Sequence, residues 1–78
     1  MHSIFYRVVD EIHYEGSSDP NYYRSFSNAV RDVGRRLERP GDMLPDLLND
    51  AENTYDGVWS WEDGPNVDIV IYREELSD

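Results

Sequence analysis

The chain has 78 residues, of which 17 are Asp or Glu and 7 are Arg, with no Lys and no Cys, so its formal net charge is −10. This length allows a single domain over residues 1–78, and a hydrophobic share of 38% is too high for a disordered acidic tail. The negative charge disfavours direct binding to nucleic acid or to anionic membranes, which both attract basic proteins.

The first half of the chain predicts a strand followed by a helix. Residues 3–15 alternate between apolar and polar side chains, which predicts a strand. Residues 16–20 predict a loop, in which Asp19 would cap the following helix and Pro20 would occupy its first position. Residues 20–38 then predict an amphipathic helix, because apolar side chains recur every three or four positions.

The second half predicts another helix and then a β-hairpin. Residues 43–53 form a short predicted helix whose apolar face is made mainly of leucines. Residues 58–62 and 67–73 predict strands, and residues 63–66 have the composition of the turn that joins them. Residues 74–78 predict a frayed acidic tail.

The fold predicted from this order, β-α-α-β-β, is a two-layer α+β domain. Its three-stranded antiparallel sheet would carry both helices on one face, with Trp59 and Trp61 in the core between the layers. The opposite face of the sheet would stay partly in water. Its side chains would be mostly polar: Arg7, Glu11, His13, Ser60, Glu62, Asp68 and Tyr72, with Val9 and Val70 among them.

The charge is unevenly distributed along the chain. Residues 1–19 contain four acids and one Arg, residues 20–39 contain two acids and five Arg, and residues 40–78 contain eleven acids and one Arg. Such segregation favours a partner-binding surface over a uniform coat of charge.

The spacing of the acids leads to the same hypothesis. Carboxylates that recur every four residues on a helix, or on one face of a strand, form rows at about 6–7 Å. Such rows can present charge to a basic groove as a phosphate backbone does, whereas the competing interpretation is a solvated face. The predicted partner-binding residues are Asp42, Asp46, Asp50, Glu52, Asp56, Glu62, Asp63 and Asp68.

No sequence motif indicates catalysis. The chain has two His and no Cys, and it lacks a nucleophile elbow and a phosphate-binding loop, so we expect neither an enzyme nor a cofactor. Two weak metal patterns remain as alternatives to our expectation of no metal. One is the cluster of Asp10, Glu11, His13 and Glu15, and the other is a calcium-like loop over residues 52–63, for which a hairpin is the preferred interpretation.

In its length, its lack of Cys, its acidic second half from Asp42 to Asp78 and its compact α+β pattern, the chain resembles small phage-encoded inhibitors. Notable among these are anti-CRISPR proteins of type I systems and other DNA mimics. The resemblance implies a cytoplasmic protein of the host bacterial cell that blocks target DNA by occupying the basic DNA-binding surface of a CRISPR effector subunit. We expect it to act as a monomer.

Two other functions fit the same composition. An immunity protein or antitoxin would cover the basic active site of a nuclease with acidic residues. A small domain from a halophile would be acidic and poor in Lys without any role as a mimic.

Overall fold

The computed structural model describes residues 2–38, 47–48, 51–55 and 57–77. These residues form six strands and one complete helix. In chain order they are β1 (His2–Ile12), β2 (Gly16–Ser17), β3 (Asn21–Tyr23), α1 (Phe26–Arg36), β4 (Glu52–Tyr55), β5 (Val58–Glu62) and β6 (Val67–Ser77).

The strands form one antiparallel sheet. Five of them follow the order β2-β1-β6-β5-β4, and the short β3 pairs with the same edge of β1 as β2 does. The predicted three-stranded sheet with two helices is therefore wrong, because the described chain is mostly strand. The additional strands are only two to four residues long, too short to show an alternating pattern in the sequence.

The helix α1 is shorter than the predicted helix over residues 20–38. Its N-cap is Ser25, whose Oγ accepts a hydrogen bond from the backbone N–H of Asn28 at 3.3 Å, so the predicted cap at Asp19 is wrong. Tyr22 and Tyr23 belong to β3 instead, where aromatic side chains fit the pleated surface of a sheet. Leu37 forms the C-cap, and Glu38 follows with a positive φ of 59°.

The predicted helix over residues 43–53 is contradicted at its end, because Glu52 and Asn53 lie in β4. Leu47 and Leu48 have helical backbone, and the other positions before Ala51 lie outside the described residues. The Leu47 carbonyl accepts a hydrogen bond from the Trp61 indole N–H at 2.8 Å, which attaches this segment to the core.

The longest pairing joins β1 to β6 over eleven residue pairs, from His2↔Ser77 to Ile12↔Val67. The prediction that residues 74–78 fray is therefore wrong through Ser77. The predicted hairpin of β5 and β6 is confirmed, and the backbone N–H of Asp63 closes its turn by donating to the Val67 carbonyl at 2.9 Å.

The core lies between α1 and one face of the sheet. Complete burial of a Val or Ile side chain contributes about 1.5–3 kcal/mol, so this cluster supplies much of the folding free energy. Trp61 is buried and Trp59 packs against the cluster, as predicted. The buried members are Val8, Ala29, Val30, Val33, Leu47, Trp61, Ile69 and Ile71.

Candidate functional site

The sheet has an outer face, on the side away from α1. Because Val8, Ile69 and Ile71 point to the core, the residues next to them in sequence point outward. We use the name outer face for these side chains on four strands: Tyr22; Phe5, Arg7, Val9 and Glu11; Asp68, Val70, Tyr72, Glu74 and Leu76; Val58, Ser60 and Glu62. The strand residues predicted for this face lie on it, and His13 lies in the turn after β1. The face is less polar than predicted, because it also carries Phe5, Tyr22, Val58 and Leu76 and because Val9 and Val70 are buried.

Three carboxylates lie side by side on the outer face. Asp68 of β6 is directly opposite Glu11 of β1 and directly opposite Glu62 of β5. Directly opposed side chains have Cβ atoms about 4.5–5.5 Å apart, and like charges in these positions destabilise a sheet. We call Glu11, Asp68 and Glu62 the carboxylate row, which crosses three neighbouring strands over about 10 Å.

Two neighbouring side chains hold members of this row in place. His13 Nε2 lies 3.1 Å from Asp68 Oδ2, and the Tyr72 hydroxyl donates a hydrogen bond to Glu11 Oε1. Burial, together with the hydrogen bond to Glu11 and the charge of that carboxylate, raises the pKa of Tyr72 to about 12. Tyr72 therefore remains protonated and continues to donate at neutral pH. Glu62, the third member, is exposed.

The other end of the outer face is aromatic and nearly neutral in charge. Arg7 Nε lies 2.7 Å from Glu74 Oε1, so the two charges offset each other. The Arg7 guanidinium also stacks over the Tyr72 ring, with Cζ 4.5 Å from the ring centroid. The rings of Phe5 and Tyr22 are in tilted contact, with centroids 5.6 Å apart.

A second polar cluster lies on the core side of the sheet and is centred on Asp32, whose exposed fraction is 4%. Its carboxylate accepts hydrogen bonds from Arg36 Nε at 3.1 Å, the Tyr23 hydroxyl at 2.8 Å and Asn21 Nδ2 at 3.1 Å. Arg36 Nη1 also donates a hydrogen bond to Asp10 Oδ1 at 2.8 Å. The cluster thus attaches α1 to both β3 and β1.

Each charge in this cluster has partners of the opposite sign. Burial acts to raise the pKa of Asp32, but hydrogen bonds from Arg36, Tyr23 and Asn21 outweigh it, so the pKa is lowered. Arg35 adds an ion pair to Asp32 at 3.6 Å. The sequence prediction missed Arg36 as the main partner, although its position four residues after Asp32 was a usable signal.

The structure brings together part of the predicted partner-binding set. Glu62 and Asp63 are exposed, and Asp68 joins the carboxylate row. The prediction did not include Glu11, which lies 57 residues before Asp68 and whose outward position was the only signal for it. Glu52 lies in β4 opposite Ser60. Four predicted residues lie outside the described residues: Asp42, Asp46, Asp50 and Asp56.

The structure divides the first metal alternative between the two faces of β1, and Asp56 of the second lies outside the described residues. Asp10 and Glu11 point to opposite faces of β1, since Asp10 binds Arg36 on the core side and Glu11 binds Tyr72 on the outer face. The calcium-like segment is interrupted by the paired strands β4 and β5. Within the part of the chain that the structure describes, no three His, Cys, Asp or Glu side chains are placed to share a metal ion.

The two sides of the molecule differ in their exposed charge. Near α1 the exposed charged side chains include Arg24, Arg31 and Arg35. The outer face carries the carboxylate row, beside which Arg7 is already paired with Glu74. Among the described residues, the outer face therefore presents the more negative surface to a basic partner.

Comparisons of the chain with protein-family models, with curated proteins and with solved structures found no match. Among the described residues, no helix has the length and apolar character needed to cross a membrane.

Proposed function

We propose that the protein is an inhibitor that mimics the charge of DNA and binds a basic, DNA-binding protein surface through its outer face. The observation that supports this most is the carboxylate row, in which Glu11, Asp68 and Glu62 occupy directly opposed positions on three strands. Like charges in such positions oppose folding, so the arrangement is expected where an oppositely charged partner compensates it.

The energetics of this binding are electrostatic at long range. A surface with net negative charge attracts a basic groove, accelerates association and competes with DNA for the same Arg and Lys side chains. Salt weakens such attraction because it screens exposed charges, over about 8 Å at physiological ionic strength. The competition with DNA should therefore weaken as salt is added.

The partner we propose is the DNA-binding surface of a type I CRISPR effector subunit. The support for this choice is the resemblance in length and acidity to anti-CRISPR proteins, together with a net charge of −10 that disfavours direct contact with DNA. A nuclease active site presents similar basic chemistry, so it serves as the comparison in the test.

The test measures how well the protein displaces labelled target DNA from purified type I effector complexes. The wild-type protein should displace DNA. The double variant Glu62→Gln/Asp68→Asn should do so at least about tenfold more weakly, because it loses two charged contacts of about 1 kcal/mol each. The variant Asp19→Asn/Glu38→Gln is the matched control, since it removes two exposed charges elsewhere and should behave as the wild type does.

Equal losses in the two double variants would show that only net charge matters and would contradict a specific role for the outer face. If the wild-type protein fails to displace DNA from effectors but inhibits a basic nuclease, the proposed partner is wrong.

A further inference from the structure

Away from the carboxylate row, the outer face exposes two large side chains, Tyr22 beside Arg7 and Leu76 at the far end of β6. Tyr22 is 59% exposed and Leu76 is 58% exposed. Phe5 lies between them in the sheet: its ring contacts Tyr22, and its direct partner on β6 is Glu74, two residues before Leu76. Side chains in such diagonal positions lie about 7–8 Å apart, so the three occupy one region of the outer face. We call Phe5, Tyr22 and Leu76 the aromatic patch.

The aromatic patch and the carboxylate row lie on the same face at a distance suited to one interface. Leu76 follows Asp68 by eight residues along β6, which is about 27 Å of extended strand. Between them lie Tyr72 and the paired charges of Arg7 and Glu74. A standard protein interface has about 800 Å² on each partner, which is enough to cover both regions.

The two regions differ in what they can contribute to binding. The carboxylate row acts at long range and depends on salt, and its effect is mainly on the association rate. Near the aromatic patch the charges of Arg7 and Glu74 offset each other, so the contribution there is burial of apolar surface. Exposed Tyr side chains are enriched among the few residues that dominate interface energies.

We infer that the aromatic patch is the hydrophobic anchor of the interface made by the outer face, and that it receives an apolar side chain of the same basic partner that pairs with the carboxylate row. This inference rests on the proposed function. The basic character of the partner follows from charge complementarity with Asp68 and Glu62, which lie on the same face of the sheet as the aromatic patch. A second copy of this chain is disfavoured as the occupant, because two molecules of charge −10 repel each other.

The test measures association and dissociation rates on an immobilised type I effector complex for Tyr22→Ala, Leu76→Ser and the control Tyr14→Ala. Tyr14 is a matched control because it is fully exposed, at 102%, in the turn after β1. The first two variants should dissociate at least about tenfold faster with an unchanged association rate and salt dependence, and Tyr14→Ala should match the wild type. Circular dichroism and thermal melting verify that each variant is folded. If Tyr22→Ala does not fold, Leu76→Ser still tests the inference by itself.

The outcomes separate this inference from the proposed function. If the wild type binds the effector and both patch variants dissociate at the wild-type rate, the anchor is refuted while the proposed function stands. If the wild type does not bind, both are refuted. A wild-type dimer that becomes monomeric on Tyr22→Ala, measured by sedimentation, would overturn the inference by identifying a second copy as the occupant.

Discussion

Charged side chains are arranged in opposite ways on the two faces of the sheet. On the core side, Asp32 is buried and surrounded by donors, and Arg36 pairs with both Asp32 and Asp10. On the outer face, Asp68 lies between two other carboxylates, Glu11 and Glu62. The first arrangement stabilises the folded chain by itself, whereas the second carries repulsion that a basic partner would relieve. Under the proposed function, the outer face serves binding and the core side serves folding.

The largest expected effect on stability is that of Asp32→Ala, which tests the structural role of the core-side cluster. Removing one member of a buried ion pair leaves Arg36 without its main partner and typically costs about 3–5 kcal/mol. This is a large part of the roughly 5–15 kcal/mol that stabilises a small domain, so we expect a strongly lowered free energy of unfolding in urea. Asp19→Ala, which changes an exposed acid, is the control and should remain within about 0.5 kcal/mol of the wild type. Equal effects would contradict the structural role of Asp32.

Asp32 also gives the core side a characteristic response to acid. Because its pKa is lowered in the folded state, the unfolded chain binds more protons as the pH falls below the ordinary value of 3.8. The stabilisation from Asp32 is therefore present above that value and is lost as the pH falls through the folded pKa. Urea unfolding measured across this range should show the loss in the wild type and a flatter profile in Asp32→Asn. Identical profiles would show that other groups govern the acid response.

The outer face should respond instead to alkali, through Tyr72. Its pKa is raised from 10.0 to about 12, so its stabilisation is complete below pH 10 and is lost as the pH rises toward 12. Tyr72→Phe removes the hydrogen bond to Glu11 and with it this alkaline dependence, at a cost near neutral pH of about 0.5–1.5 kcal/mol, or somewhat more for a charged acceptor. The measurement is thermal unfolding between pH 8 and pH 12, with ultraviolet titration of the phenol. A wild-type Tyr72 that ionises near pH 10 would contradict the hydrogen bond to Glu11.

The smallest effect is expected at Glu62. Glu62→Gln relieves repulsion with Asp68 and should raise the free energy of unfolding by about 0.2–1 kcal/mol, while weakening binding to a basic partner. Urea unfolding measures the first effect and the DNA-displacement assay measures the second. Glu38→Gln, on an exposed residue after α1, is the control for both. A loss of stability in Glu62→Gln would mean that the Glu62 carboxylate stabilises the folded chain, which would contradict its proposed role in binding.

The sequence predicted the parts of the fold that depend on long alternation or strong turn residues. The hairpin of β5 and β6, the core position of Trp61 and the outward direction of Arg7, Glu62 and Asp68 follow from such patterns. The strand β3 was missed because Tyr22 and Tyr23 fit the spacing of a helix as well as that of a strand, and three residues cannot distinguish the two. Only the pairing with β1, which is a tertiary interaction, makes this segment a strand.

The candidate site was predictable only in part for a similar reason. Glu62 and Asp68 are close in sequence, and a hairpin places them opposite each other. Glu11 joins them only because β1 pairs with β6 in one particular register, which local sequence does not determine. Its contact with Tyr72, 61 residues away, has the same origin. Long-range strand pairing therefore assembled the part of the site that sequence reasoning missed.

The measurement that tests the central claim most directly is the salt dependence of association with a type I effector, for the wild type and for Glu62→Gln/Asp68→Asn. Between about 0.01 M and 0.15 M salt the screening length falls from roughly 30 to 8 Å, so attraction through the outer face should weaken markedly. We predict a steep decrease in the association rate for the wild type and a clearly shallower one for the double variant, with Asp19→Asn/Glu38→Gln close to the wild type. Equal slopes for all three proteins would contradict the claim that the carboxylate row is the binding surface.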